Sequence, residues 1–371
     1  MSDVVVVRVT DYDIEAIEGV VRGWVGGWVR GGERVLLKPN VLGAYPPERH
    51  VTTNPAVVEA VVRVLLDMGC RVWVGDSSGM PVHRGTARAL EAAGMSELAH
   101  RYPVKVLPLE DVPAVDLPVP QGRVLERVRV SGLIEEVDWV VNLPKLKAHQ
   151  LTRYTGAVKN LYGCVPGGIK QQYHAQAPTP SAFAHLLLDL YSALAPKLLF
   201  SLMDAVVSLE GSGPGPTGTP RRTAFLAFSP DAPALDLACC RAVGLDPSSV
   251  LHLRFAQERG LVGPLPGEAP EEAAPLLEAP MRFPGSSPAG WLGMAASRWV
   301  RSRPRVIEDR CRRCGYCARV CPVSCITMDG LPVWDYSRCI YCYCCHENCP
   351  HEAIELKEPL LLRLYRAFSG R

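Results

Sequence analysis

Residues 35–79 read VLLKPNVLGAYPPERHVTTNPAVVEAVVRVLLDMGCRVWVGDSSG. Val35 to Lys38 fits a short buried strand. Thr53-Asn54-Pro55 then offers a helix N-cap and a first-turn proline. Apolar side chains recur at helical spacing at Val57, Val58, Val61, Val62, Leu65 and Met68, and Gly69 closes the run. Arg71 to Gly75 is the next strand, ending in the polar loop Asp76-Ser77-Ser78-Gly79. Strand, helix and strand in this order imply a parallel pair with a right-handed crossover.

The alternation continues outward. Arg84 to Ala93 reads as a helix ending at Gly94. Val137 to Val141 is a strand entering Asn142-Leu143-Pro144-Lys145, and the segment from Lys145 to His174 reads as a loop. Ser181 can cap a helix carrying Phe183, Leu186, Leu187, Leu190 and Leu194. Leu198 to Met203 is a strand running into Asp204, Thr223 to Phe228 is another, and a helix follows near Ala234 to Val243. The expected fold class is α/β: a mostly parallel sheet with flanking helices over residues 1–260. A Pro/Gly-rich linker with an amphipathic segment (261–302) leads to a small α+β domain (303–358) with eight cysteines in two copies of one spacing, so a ferredoxin-like domain with duplicated halves is expected. A tail (359–371), rich in leucine, is expected to dock back on the protein. Within the linker, Trp291 to Arg305 reads as a basic amphipathic helix. Packing onto a domain suits its short length better than membrane-surface contact.

The small domain rests on a repeat. Cys311, Cys314, Cys317 and Cys321 precede Pro322, and Cys339, Cys342, Cys345 and Cys349 precede Pro350, each ligand 28 residues after its counterpart. Both copies read C-x2-C-x2-C-x3-C-P, a spacing suited to two 4Fe–4S clusters, the fourth ligand of each coming from the other half. Cys311, Cys314, Cys317 and Cys349 form one expected set, and Cys339, Cys342, Cys345 and Cys321 the other. Zinc does not require this run. Disulfides would need an oxidising compartment, which no secretory signal supports. Cys325 and Cys344 fall outside the ligand positions and read as packing residues. Asp329-Gly330 suggests a tight turn between the halves.

Composition sets bounds. The 371 residues are 48% hydrophobic with net charge +2, giving no global pull toward nucleic acid. No apolar run is long enough to cross a bilayer, so a cytoplasmic protein is expected. Only 8 lysines stand beside 32 arginines, and only 5 asparagines occur. Five of the lysines gather in few places: Lys38 beside Asn40, Lys145 and Lys147 after Asn142, Lys159 beside Asn160, and Lys170. Ligands of open α/β sheets bind beyond the carboxyl ends of strands, where these segments and Asp76 lie. A cationic pocket for a small anionic substrate is the expectation. His149, Tyr162 and His174 are proton-donor candidates. Gly156, Gly163, Gly167 and Gly168 permit close backbone approach. Glu210 opens a Gly/Pro-rich loop to Gly218 that matches no nucleotide-binding fingerprint.

These stretches together resemble the family catalogued as domain of unknown function 362. The resemblance lies in LLKPN (Leu36 to Asn40), VGDSSG (Val74 to Gly79), NLPKLKAH (Asn142 to His149) and GAVKNLYG (Gly156 to Gly163). It continues through MDAVVSLEGSGPGPTG (Met203 to Gly218) and SPDAPALDLACC (Ser229 to Cys240). It implies an iron–sulfur protein of this architecture, but no substrate. It also implies that Lys38, Asn40, Asp76, Lys145, Lys147, Lys159, Asn160, Glu210 and Asp236 form a functional surface.

Three functions compete. In the first, an oxidoreductase, an external electron donor or acceptor protein exchanges electrons with the clusters, which serve an anionic substrate at the Lys/Asn-rich face. In the second, a non-enzymatic carrier uses that face to dock a redox partner. The third is a non-redox enzyme with clusters as sensors. A flavin stays open, since flavin sites often lack a short motif, but nothing in the sequence argues for one.

Overall fold

Val35 and Leu37 of one strand enter one apolar core, and Leu36 between them enters another on the opposite face. Such strands are buried on both sides and belong inside a layered α/β sheet. The structure, a computed structural model, describes residues 4–78, 85–215, 217–262, 277–284 and 301–357. Nine strands form the main sheet: β1 (Val5–Arg8), β2 (Arg34–Pro39), β3 (Arg71–Asp76), β4 (Lys105–Pro108), β7 (Trp139–Leu143), β8 (Lys145–His149), β9 (Arg153–Thr155), β10 (Leu198–Gly211) and β11 (Gly218–Ser229). A separate antiparallel pair, β5 (Ala114–Pro118) and β6 (Arg127–Ser131), lies between β4 and β7 in the chain.

The sheet order is β1-β11-β10-β7-β2-β3-β4, with β8 paired to β10 and β9. From β4 to β10 every pairing is parallel. β1, β11 and β9 pair antiparallel. The chain runs from β2 outward to β3 and β4, then returns to place β7 on the other flank of β2. That reversal opens a crevice past the carboxyl ends of β2 and β7, the position where doubly wound sheets bind ligands. Lys38 and Asn142 are register neighbours there.

Helix Pro55–Asp67 begins as expected, with Asn54 accepting from the Ala56 N–H and Pro55 in the first turn. Other boundaries differ. Thr179, two residues before Ser181, caps helix Pro180–Leu194, because its hydroxyl accepts from the Ala182 N–H. β10 continues past Met203 to Gly211, so Asp204 lies inside a strand and Glu210 near its end. Lys145 to His174 is not a loop. It contains β8, β9, helix Ala157–Asn160, a 3-10 turn Leu161–Cys164 and helix Gly167–Gln176. The periodicity was hidden because all five residues of β8 are buried, Lys145 and Lys147 included.

The C-terminal module holds β12 (Arg303–Val306) paired with β15 (Ile354–Lys357), and β13 (Ile326–Asp329) paired with β14 (Leu331–Trp334). Arg303 to Arg305 is therefore strand rather than the end of a helix. Residues 291–300, most of the linker and the tail lie outside the described residues. The β13–β14 turn passes through Gly330 at φ +67°. The backbone repeats as the cysteines do. Arg313 and Tyr341, Gly315 and Tyr343, and Ser324 and Glu352 all adopt positive φ, each pair 28 residues apart.

Candidate functional site

At the crevice the carboxyl ends of β2 and β3 and the turn after helix Ala157–Asn160 are tied by a buried polar network. The Lys38 ammonium lies 2.7 Å from Asp76 Oδ1 and also donates to the Pro39 carbonyl and Asn160 Oδ1. Asp76 Oδ2 accepts from the Val41 N–H. Asn160 donates to Asn142 Oδ1 and the Lys38 carbonyl, and accepts from Asn40. Lys147 donates to Asn40 Oδ1 at 2.7 Å and to the Val51 carbonyl. A β-carbon at Gly163 would overlap Asp76 and the Lys38 ammonium, so the backbone must be bare there. Gly156 is equally constrained by Asp236 and Tyr154, whereas Gly167 and Gly168 face open space.

Above this network lies an open cleft enclosing about 750 Å³, part of it continuous with solvent. One wall carries Lys38, Ser77, Lys159, Tyr162, Lys170 and His174. The other comes from the C-terminal module: Val320, Cys344, Glu347 and Asn348. Val320 and Asn348 are repeat counterparts, so the two halves of the module meet here.

The lysines differ in their commitments. Lys145 is fully buried against Asp204 and the Tyr12 hydroxyl, both at 2.8 Å, away from the cleft. Lys170 faces the cleft and donates to the Ser77 carbonyl. Lys159 also faces it and makes no hydrogen bond or ion pair within 4 Å among the described residues; Glu347 exerts the largest charge attraction on it. The Ser77 hydroxyl is buried without a partner among the described residues. Burial lowers the pKa of Lys159, and brings Lys170 from 10.5 to about 8. Burial raises Glu347 to about 7, against the pull of Lys159 and Lys147.

The proton-donor candidates fall in three settings. His149 Nδ1 accepts from the Leu151 and Thr152 N–H groups, so its proton sits on Nε2, 3.5 Å from Glu347 Oε1. It faces the module across that gap without a hydrogen bond and does not line the cleft. The Tyr162 hydroxyl donates to the Lys170 carbonyl at 2.8 Å, leaving only the ring in the cleft wall. His174 stacks on Phe183 with ring centroids 4.5 Å apart. Burial, with Lys159 and Lys170 nearby, holds it neutral with a pKa of about 3. Glu210 lies outside the cleft and holds Arg282 and Arg221. Asp236 lies behind it, accepting from Tyr154 and from the Ala157 and Val158 N–H groups at the start of helix Ala157–Asn160.

In the module, Cys311, Cys314, Cys317 and Cys349 line one cavity. Cys321, Cys339, Cys342 and Cys345 line a second, with Cys325 beside them. Backbone N–H groups of Tyr341, Ala353 and Cys325 point to the sulfurs of Cys339, Cys349 and Cys321 at 3.3–3.4 Å. Such donors favour thiolates. Four sulfurs around each mostly apolar cavity fit a cubane.

Residues 35–241 match the family described as domain of unknown function (DUF362). The chain belongs to this family. In this DUF362 protein, residues 304–327 and 332–355 also match the 4Fe-4S binding domain, and the module holds two 4Fe–4S clusters and transfers electrons. The chain is 36% identical over 249 residues to a thylakoid-associated protein of Synechocystis sp., covering 64% of this chain and 72% of that protein. It is 33% identical over 81 residues to pyruvate synthase subunit PorD of Methanothermobacter marburgensis (22% of this chain, 93% of the subunit). It is 35% identical over 63 residues to NADH-quinone oxidoreductase subunit I of Pelobacter propionicus (13% of this chain, 34% of the subunit). No helix among the described residues is long and apolar enough to cross a membrane.

Sequence reasoning missed Glu347, because it sits between cluster cysteines and its partners are remote in sequence. A signal was present: its repeat counterpart is Arg319, a reversal of charge within otherwise matched halves.

Proposed function

We propose that this DUF362 protein is a cytoplasmic iron–sulfur oxidoreductase that exchanges electrons with a small anionic substrate in the cleft. The carrying observation is that one cleft has the lysine-rich sheet ends on one side and helix Cys344–Glu347 on the other. That helix begins between Cys342 and Cys345 of the second cavity. The crossed ligand sets, Cys311/Cys314/Cys317/Cys349 and Cys339/Cys342/Cys345/Cys321, would hold the clusters, which supply one-electron transfer. Lys159, with no hydrogen bond of its own, would bind the anionic group, aided by the Ser77 hydroxyl. Lys38, Asn40, Asp76, Asn160 and Lys147 would hold the floor, with Lys145 bracing the sheet behind it. Lys170 would donate the proton, since it faces the cleft and burial brings it down to about 8. His174 and Tyr162 would shape the wall, and His149 would join it to the module. A basic docking face for a pure carrier fits less well, because most of these lysines are buried.

The test is anaerobic. Pre-reduced protein is mixed with a panel of small carboxylates and phosphates, and cluster reoxidation is followed by absorbance. At least one anion should accelerate reoxidation in the wild type and not in Lys159→Met. No acceleration by any anion, with no ligand retained in native mass spectrometry, would count against the reading.

A further inference from the structure

The halves of the module share a backbone but not a surface. In the second half Ile340, Tyr341 and Tyr343 line the cluster cavity, with Tyr341 only 3% and Tyr343 only 7% exposed. Arg301 covers the Tyr341 ring, 5.7 Å from its centroid. The counterparts in the first half are Arg312, Arg313 and Gly315. Here Arg312 lines the cavity, and Arg312, Arg313 and the cysteine Cys314 are all exposed. Met328 lines the same cavity and is 38% exposed; Val333, across the β13–β14 hairpin, is 52% exposed. Met328 is one of four large apolar side chains exposed among the described residues, and its strand partner Pro332 lines the same cavity, whereas Val333 pairs with Thr327 on the hairpin's other face. Glu308 and Asp309 stand on the turn before Cys311, but among the described residues no carboxylate lines the cavity. One cavity is therefore sealed by aromatic side chains, while its twin has an apolar centre and a basic rim.

We propose that the first cavity is the electron port, docking an acidic one-electron carrier protein over Cys314. Arg312 and Arg313 face the carrier's carboxylates, and Met328, beside Pro332 at the cavity, forms the apolar centre of the contact. Apolar centre with charged rim is the usual anatomy of an interface, and charge complementarity sets encounter rate. One electron leaves the reduced carrier and reduces the first cluster by one; no bond or proton is exchanged. The inference rests on electron passage through the module and not on which ligand fills the cleft.

The test uses the full, cluster-loaded chain and flavodoxin, an acidic one-electron protein, as probe. Binding of oxidised flavodoxin is measured by biolayer interferometry, and cluster reduction by reduced flavodoxin by stopped flow, each over a salt series. The double variant Arg312→Glu/Arg313→Glu should bind and be reduced about tenfold more weakly, and lose the decline with salt. The double Arg→Lys variant should keep the salt response, and dithionite should reduce every variant alike. If charge reversal costs iron, Arg312→Gln/Arg313→Gln carries the test. Wild-type binding, rate and salt slope in an iron-replete charge variant would overturn the proposal. Lys159→Met should leave the flavodoxin step intact, so failure at the cleft and failure at the port are read separately.

Discussion

Lys38 and Lys159 share a cleft and should answer mutation in opposite ways. Lys38→Met strands the buried Asp76 carboxylate, 2.7 Å away, and should cost about 3–5 kcal/mol in chemical denaturation. Lys159→Met removes an ammonium with no hydrogen bond, so stability should change by under about 1 kcal/mol while the response to anions is lost. Lys170 sets a pH limb. With its pKa lowered to about 8, the proposed proton donor is charged below that value, and turnover should fall as pH rises through it. Stability should instead gain between pH 8 and 10.5, where the unfolded chain still binds a proton that the folded chain has released. A rate–pH profile compared with Lys170→Met checks the first, and denaturation over the same range the second. Scarcity in the sequence pointed to Lys38, Lys159 and Lys170. It could not separate paired from unpaired, because Asp76 and Asn160 reach Lys38 from distant segments.

Helix Ala157–Asn160 is one turn long and has no cap of its own. It depends on Asp236, which arrives from helix Ala232–Ala242 and accepts two of its N–H groups. Asp236→Ala should cost about 2–4 kcal/mol by leaving these donors buried and unmet. It should also weaken the anion response, because Lys159 and Asn160 ride on this turn. Asp236→Asn keeps an acceptor and should lose less; urea denaturation and cluster reoxidation of both variants check this. The parallel strands and helix Pro55–Asp67 were legible because their apolar spacing is regular. β8 was not, since Asp204 and Asn40 let two lysines enter the interior, and a buried lysine reads as solvent-facing in a sequence.

The two parts of the molecule should come apart in stability. The sheet is flanked by two large apolar cores, whereas the module's own apolar cluster has only eight buried residues, half of them cysteines. Small metal-dependent units fold with their metal. Oxidative chelation of iron should melt residues 303–357 while the sheet persists, seen as early proteolysis of the C-terminal region and a retained main transition by circular dichroism. The repeat spacing revealed the module; its docking was illegible, because it depends on Glu347 meeting residues some two hundred positions earlier. That junction has a kinetic consequence. With both walls of the cleft in one polypeptide, the proposed transfer between them would be unimolecular, at an effective concentration fixed by geometry rather than by expression level. Dilution should slow the encounter with any outside carrier in proportion, yet leave the internal step at the same rate.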